Sequence, residues 1–164
     1  MMWWWLVACS STPASWITPE ADVSAAVVQE DGRMLAYVCG NADDTRDDFS
    51  RWFEAPWSDD GFVAETADWR LEGVLDGDTL LLTLDGPDGE ARSLDGRAVE
   101  AAIYAQEETC LDGAIATEGR VDGSWCAPDG TRFQVEPVET VVLGETLELA
   151  LPDGARRTFR RELP

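Results

Sequence analysis

Trp52, Trp57 and Trp69 crowd one short stretch of this chain. An indole face offers a stacking platform for a sugar or another flat apolar ligand. Trp52, beside Phe53, and Trp57 are the two expected to present such a platform, whereas Trp69 sits in an alternating pattern and is expected in the core. Arg156, Arg157, Arg160 and Arg161 form a second cluster. Guanidinium forks suit carboxylate and phosphate recognition. On a strand, however, 156 and 160 share one face and 157 and 161 the other. Neutralising acidic neighbouring strands or guarding a sheet edge is therefore the simpler role. The 33 Asp and Glu residues leave carboxylate-pair hydrolysis and metal-assisted chemistry open, but no pair of acids stands out as catalytic.

The missing residues prune more chemistry than the present ones suggest. There is no His, and all 12 basic residues are Arg. Ser-His-Asp and Cys-His nucleophile pairs, Schiff bases, P-loop lysines and histidine zinc sites are excluded. Asp43, Thr45, Asp47 and Glu54 have the spacing of calcium-loop ligands, yet Asp48 stands where that loop needs Gly. Acids on the positive end of a short helix explain the run better. Neither a metal nor a cofactor is expected.

Cysteines stand at 9, 39, 110 and 126. In an exported protein one bridge is expected from the last three. Cys110–Cys126 closes the shorter loop and is preferred; Cys39–Cys126 would pin two hairpins together and stays open. A catalytic thiol is not expected, since no His or Lys is available to lower its pKa.

The chain opens "MMWWWLVACSST". Met1 to Ala8 is an uncharged run too short to span a bilayer and long enough for a secretory apolar core. Leu6-Val7-Ala8-Cys9 resembles the lipobox of bacterial lipoproteins. That resemblance implies a signal peptide over 1–8, a lipidated Cys9 and a polar tether over 9–19. It also implies membrane attachment through the lipid, in the bacterial envelope, facing the periplasm or exterior. The basic residues that usually precede the apolar core are absent ahead of Trp3, and a start codon further upstream would supply them. The other reading is a hydrophobic N-terminal strand packed on the core.

Residues 20–164 are read as a single β-rich domain, since the length and the 45% hydrophobic content suit one well-filled core. A net charge of −21 repels nucleic acid, which needs a basic face, so nucleic-acid binding is not expected. Such acidity fits a GC-rich genome or a saline habitat equally well.

The elements that must position these groups are marked by Asp-Gly, which precedes ten of the 14 glycines. Asp-Gly supplies the positive φ angles of two-residue hairpin turns. Hairpins are predicted around Asp31-Gly32, Asp76-Gly77, Asp129-Gly130 and Asp153-Gly154, with Trp69, Leu71 and Leu75 sharing one face, Leu80, Leu82 and Leu84 another, and Phe133 and Val135 inward. The sum is an all-β antiparallel meander of roughly nine to twelve short strands, forming a small sandwich or barrel. One short helix is predicted near 45–54, where Phe49, Trp52 and Phe53 fall at helical spacing. "GRMLAYVC" (32–39) and "GRVDGSWC" (119–126) form a faint internal echo. The hairpins and the "AYVC…WF" stretch also look similar to uncharacterised β-rich domains of secreted bacterial proteins. The function expected is a lipid-anchored, non-catalytic envelope protein that binds an unknown envelope component or small ligand. A carboxylate-based hydrolase and a small-ligand-carrying β-barrel are the alternatives.

Overall fold

At Asp31-Gly32 both residues take positive φ, 51° and 77°, and the chain reverses between β2 (Val23–Glu30) and β3 (Arg33–Gly40). The register runs in full from Val23↔Gly40 to Glu30↔Arg33. The computed structural model describes residues 14–19, 21–106, 113–139 and 141–163. It is all-β: two antiparallel, nearly closed barrel-like sheets of eight and seven strands with one very short helix.

The first barrel holds β1 (Ala14–Ile17), β2, β3, β4 (Arg51–Pro56), β5 (Gly61–Thr66), β6 (Trp69–Asp76), β7 (Thr79–Asp85) and β8 (Ala91–Ala98). Each strand but β4 is hydrogen-bonded to the next in sequence, β1 also pairs with β8 through Trp16↔Ala98, and β4 and β5 end the sheet order. Leu71, Leu80, Leu82 and Leu84 point inward, beside Trp16, Phe53 and Phe62. The described fold thus begins at Ala14, inside the 9–19 segment expected to be a tether.

The second barrel holds β9 (Ala101–Ala105), β10 (Gly113–Thr117), β11 (Arg120–Cys126), β12 (Arg132–Gln134), β13 (Glu136–Pro137), β14 (Thr146–Ala150) and β15 (Arg156–Leu163). Its sheet runs β12-β11-β10-β9-β15-β14-β13. Residues 132–137 pair first with β11 and then with β14, so one stretch of chain bends across the join.

The helix α1 (Asp43–Phe49) is shorter than the sequence suggests. Ala42 is its N-cap residue, and Thr45 Oγ1 accepts from the Ala42 N–H at 3.1 Å. The expected continuation through Trp52 and Phe53 is instead strand β4. Phe53 and Ala55 enter the core while Trp52 and Glu54 face outward, the two-residue alternation of a sheet. Pairing with β3 from Arg33 to Val38 outweighs the coincidental helical spacing of the aromatics.

Not every Asp-Gly is a turn. Gly96 and Gly123 lie inside β8 and β11, and Gly113 opens β10. At Gly113 the demand is for space: a Cβ there would come within 2.6 Å of the Tyr37 ring.

Four strands are buried on both faces, which is why they read as nearly continuous apolar runs. Val23, Ala25 and Val27 of β2 fill the first barrel, while Ala26 and Val28 face the second. Tyr37 and Cys39 of β3, Ile103 of β9 and Ile115 of β10 complete this junction. Val28, Ile103 and Ile115 each contribute about 1.5–3 kcal/mol of burial, so the two barrels are joined by a true third core.

Candidate functional site

The second barrel covers only part of the first. Along β3 the outward residues are Leu35, Tyr37 and Cys39; the last two lie in the junction, whereas Leu35 lies beyond its rim. There a groove of about 420 Å³ is lined by Leu35, Trp52, Phe53, Glu54, Glu65, Thr66, Ala105 and Glu162. A second hollow shares Leu35, Glu54 and Glu162 and extends the groove toward Glu30, Asp31 and Arg33. The two hollows together are lined by five carboxylates and one guanidinium, that of Arg33, which pairs with Glu54. Trp52 forms the aromatic wall, its ring 4.7 Å from that of Tyr37 and tilted by 45°.

The groove overlies the place where the first barrel fails to close. β4 and β5 are consecutive strands joined by a tight turn, yet they end the sheet order on opposite sides. Ser58 and Gly61 exchange two backbone bonds of 2.8 and 3.2 Å, and no ladder follows. Continuing that register would set Val63 opposite Pro56, which has no N–H to donate, and Glu65 opposite Glu54, a like-charge pair that a sheet disfavours. Backbone direction alternates along an antiparallel ladder. Trp57 N–H donates to Gly32 and Leu75 N–H to Asp60, so 57 faces β3 and 60 faces β6. The N–H and C=O of Glu54, Val63 and Glu65 accordingly point into the seam.

Trp52 and Trp57, expected to share one platform, are not brought together. Five residues apart on one extended run, they face opposite sides. Trp57 stacks on Trp16 at 5.2 Å and 6°, and meets Phe62 at 5.6 Å, plugging the barrel end. Trp69 also packs against the core, edge-on to Phe49 at 5.1 Å, with the Arg51 guanidinium 3.8 Å above it. Burial first, then the charge of Arg132, pulls the Arg51 guanidinium down to about 10.

The C-terminal arginines are dispersed as strand geometry predicts. Arg156 binds Glu148 at 2.8 Å, and the Arg157 guanidinium lies 5.0 Å from the Trp125 ring centre. The calcium-like spacing is split between helix and strand, since Thr45 is in α1 and Glu54 in β4. The side chains of Asp43 and Asp47 lie outside the described residues. Among the described residues no cluster of His, Cys, Asp or Glu could hold a metal ion, and no helix is long and apolar enough to cross a membrane.

Cys39 is free and buried, which removes the Cys39–Cys126 bridge. Burial, then the charge of Asp122, pushes its thiol up to about 12. Cys126 is buried at the end of β11. Its expected partner Cys110 lies outside the described residues, as do Cys9 and the whole 1–8 signal segment.

A buried polar network crosses the junction. Ser24 Oγ donates to Asp122 Oδ2 at 3.0 Å and receives Asn41 Nδ2 at 2.9 Å. Arg120 pairs with Asp122 and donates to the Thr18 carbonyl at 2.8 Å. Tyr37 and Ser124 hydroxyls share a bond of 2.8 Å. Tyr37 and Ser124 each stand two residues before the Cys that ends the internal echo, so the two similar stretches meet face to face.

Sequence reasoning missed Leu35, Glu65 and Glu162 because nothing local distinguishes them; they converge only once two barrels pack. One signal was readable. Pro56 and the Glu54/Glu65 opposition, counted outward from the turn at Asp59-Asp60, mark a hairpin that cannot zip. No protein-family model, no curated protein and no solved structure matches this chain.

Proposed function

We propose that this chain is a lipid-anchored, non-catalytic protein of the bacterial envelope that binds a partner or ligand in the groove between its barrels. The observation that carries the binding role is the groove itself, an aromatic and acidic cleft over an unzipped seam. Clefts where two packed units meet are a preferred place for ligands, and Trp52 gives this acidic one an aromatic wall. The anchor rests on Leu6-Val7-Ala8-Cys9, with Cys9 five residues ahead of β1.

The alternatives draw less support. A ligand-carrying barrel needs an open interior, whereas Trp16, Phe53, Phe62 and the leucines fill the first barrel. A carboxylate hydrolase needs one acid kept protonated in a sheltered site, and Glu54, Glu65 and Glu162 are all exposed. The reading includes a Cys110–Cys126 bridge, supported by the buried position of Cys126 and the free state of Cys39.

Two measurements in the native host test this. The intact mass of the membrane-associated protein should begin at Cys9 with added acyl chains; an unmodified Met1 would sink the anchor. A photo-crosslinking residue at Thr66, on the groove wall, should give a defined adduct that the same residue at exposed Val142 does not. Equal labelling at both positions would remove the groove from the reading.

A further inference from the structure

We infer that the two barrels are two copies of one barrel unit, and that the junction is the surface through which this unit pairs with a second copy, here closed within a single chain. The inference is independent of what the groove binds.

Topology carries it first. In each barrel the first strand pairs with both the second and the last, β1 with β2 and β8, β9 with β10 and β15. Each sheet then ends on its fourth strand and the one after it. The second barrel has one strand fewer, since β12 runs almost directly into β13. Sequence agrees at matching places. "EDGRMLAYVC" (30–39) and "TEGRVDGSWC" (117–126) both hold a two-residue turn and the strand that follows it, the third of each barrel. Gly32 and Gly119 take φ of 77° and 86°, between the pairs Glu30↔Arg33 and Thr117↔Arg120. "VLDGDTLLLTL" (74–84) and "VVLGETLELAL" (141–151) both lead through the next-to-last strand into a Pro-Asp-Gly turn. Leu80, Leu82 and Leu84 fill the first barrel, and Leu147, Leu149 and Leu151 fill the second. The turn by itself is weak support, because Pro128-Asp129-Gly130 repeats it elsewhere. Similar strand and turn units at the same places in the same order are what a repeat leaves.

Geometry adds the pairing. A two-fold arrangement brings equivalent residues near its axis into contact with each other. Tyr37 stands opposite Ala26 in its ladder, and Ser124 opposite Gly113 in its own. Tyr37 is thus the counterpart of Ser124, and Ala26 of Gly113. The two equivalent hydroxyls share the 2.8 Å bond across the junction. The copies have diverged there as knob and hole. Gly113 admits the Tyr37 ring, and the Cβ of an alanine in its place would lie 2.6 Å from that ring. Two first barrels would therefore collide at Ala26, and two second barrels would leave a void over Gly113. Each barrel fits the other better than itself. The flank that matches the groove is filled from within the chain. Leu35 and Trp52 line the groove, and their counterparts are Asp122 and Gln134. Arg120 holds Asp122, and Arg46 of α1 holds Gln134 at 3.2 Å.

Thermal unfolding of full-length variants tests the two-fold. Tyr37→Ser with Ser124→Tyr moves the knob to the other barrel without its hole, and should lower Tm by about 10 °C or more. Adding Ala26→Gly and Gly113→Ala moves the hole as well, and should recover at least about half of that loss. In a junction without a two-fold, the added glycine weakens β2 and the added alanine crowds β10. A fourfold variant melting below the double would therefore overturn the inference. Where neither variant folds, a cut chain decides. A protease site inserted after Glu100, on the exposed link between the barrels, lets the folded full-length chain be divided. Native mass spectrometry should find the two halves still paired. Unfolded and refolded together, they should return unlike pairs in excess and like pairs as the minor species, as a shared surface requires. Separation on cutting, or a refolded mixture without like pairs, would overturn the inference.

Discussion

Trp52 and Trp57 show how one residue of parity separates a surface role from a core role. Trp57→Ala should cost about 3 kcal/mol, because it removes the partner of both Trp16 and Phe62 and opens a cavity in the barrel end. Trp52→Ala should cost less, about 1–2 kcal/mol, while abolishing whatever the groove binds. Urea unfolding of the two variants measures the order, and a reversed order would mean that Trp52 is the buried plug. Cys39 carries a second prediction. Its folded thiol titrates near 12 against an ordinary value of 9.0, so the neutral form is favoured by folding. That stability is fully present below pH 9 and is lost as pH rises from about 9 toward 12. Iodoacetamide at pH 8 should leave Cys39 untouched in the folded protein and modify it in denaturant; rapid labelling of the native state would contradict its burial.

At the level of elements, the glycines separate turn chemistry from close packing. Gly77 has φ 62°, and a Cβ placed there would meet nothing within 4 Å, so Gly77→Ala should cost about 1 kcal/mol through backbone strain alone. Gly113→Ala must displace the Tyr37 ring and should cost about 2–3 kcal/mol. Thermal denaturation of the pair tests this, equal losses arguing against the close approach. These elements were legible to different depths. The hairpins at Asp31-Gly32, Asp76-Gly77, Asp129-Gly130 and Asp153-Gly154 follow from turn chemistry and two-residue alternation, and all four are found. The helix over 45–54 was overextended because Phe49, Trp52 and Phe53 fit a helix as well as a strand, and only the partner strand β3 decides. The Asp-Gly pairs inside β8 and β11 mimic turns because sequence does not show what packs above a glycine. The groove was half legible: Trp52 belongs to it, while Leu35, Glu65 and Glu162 arrive from strands distant in the chain.

For the whole molecule, the junction is the decisive feature. The sequence suggested one small barrel or sandwich; the chain builds two barrels and a shared core because β2, β3, β9 and β10 are apolar on both faces. Asp122, 5% exposed, anchors the polar side of that junction. Asp122→Ala would take the carboxylate from the partly buried Arg120 and the acceptor from Ser24 Oγ, at a cost of about 3 kcal/mol. Calorimetry should show a single transition in the native chain and two in the variant, as the barrels melt apart; one unsplit transition would mean that the apolar contacts alone couple them. The placement of β1 has a mechanical consequence. A strand so near the chain's start sits in mid-sheet, paired with β2 along its whole length and with β8 at Trp16 and Ile17, while Ser15 Oγ accepts from the Ala101 N–H at the entrance to the second barrel. Tension applied ahead of Ala14 is therefore borne at once by both neighbours of β1 and by the link between the barrels. Under load the protein should yield by losing this keystone strand first, and the first barrel would open opposite its existing seam.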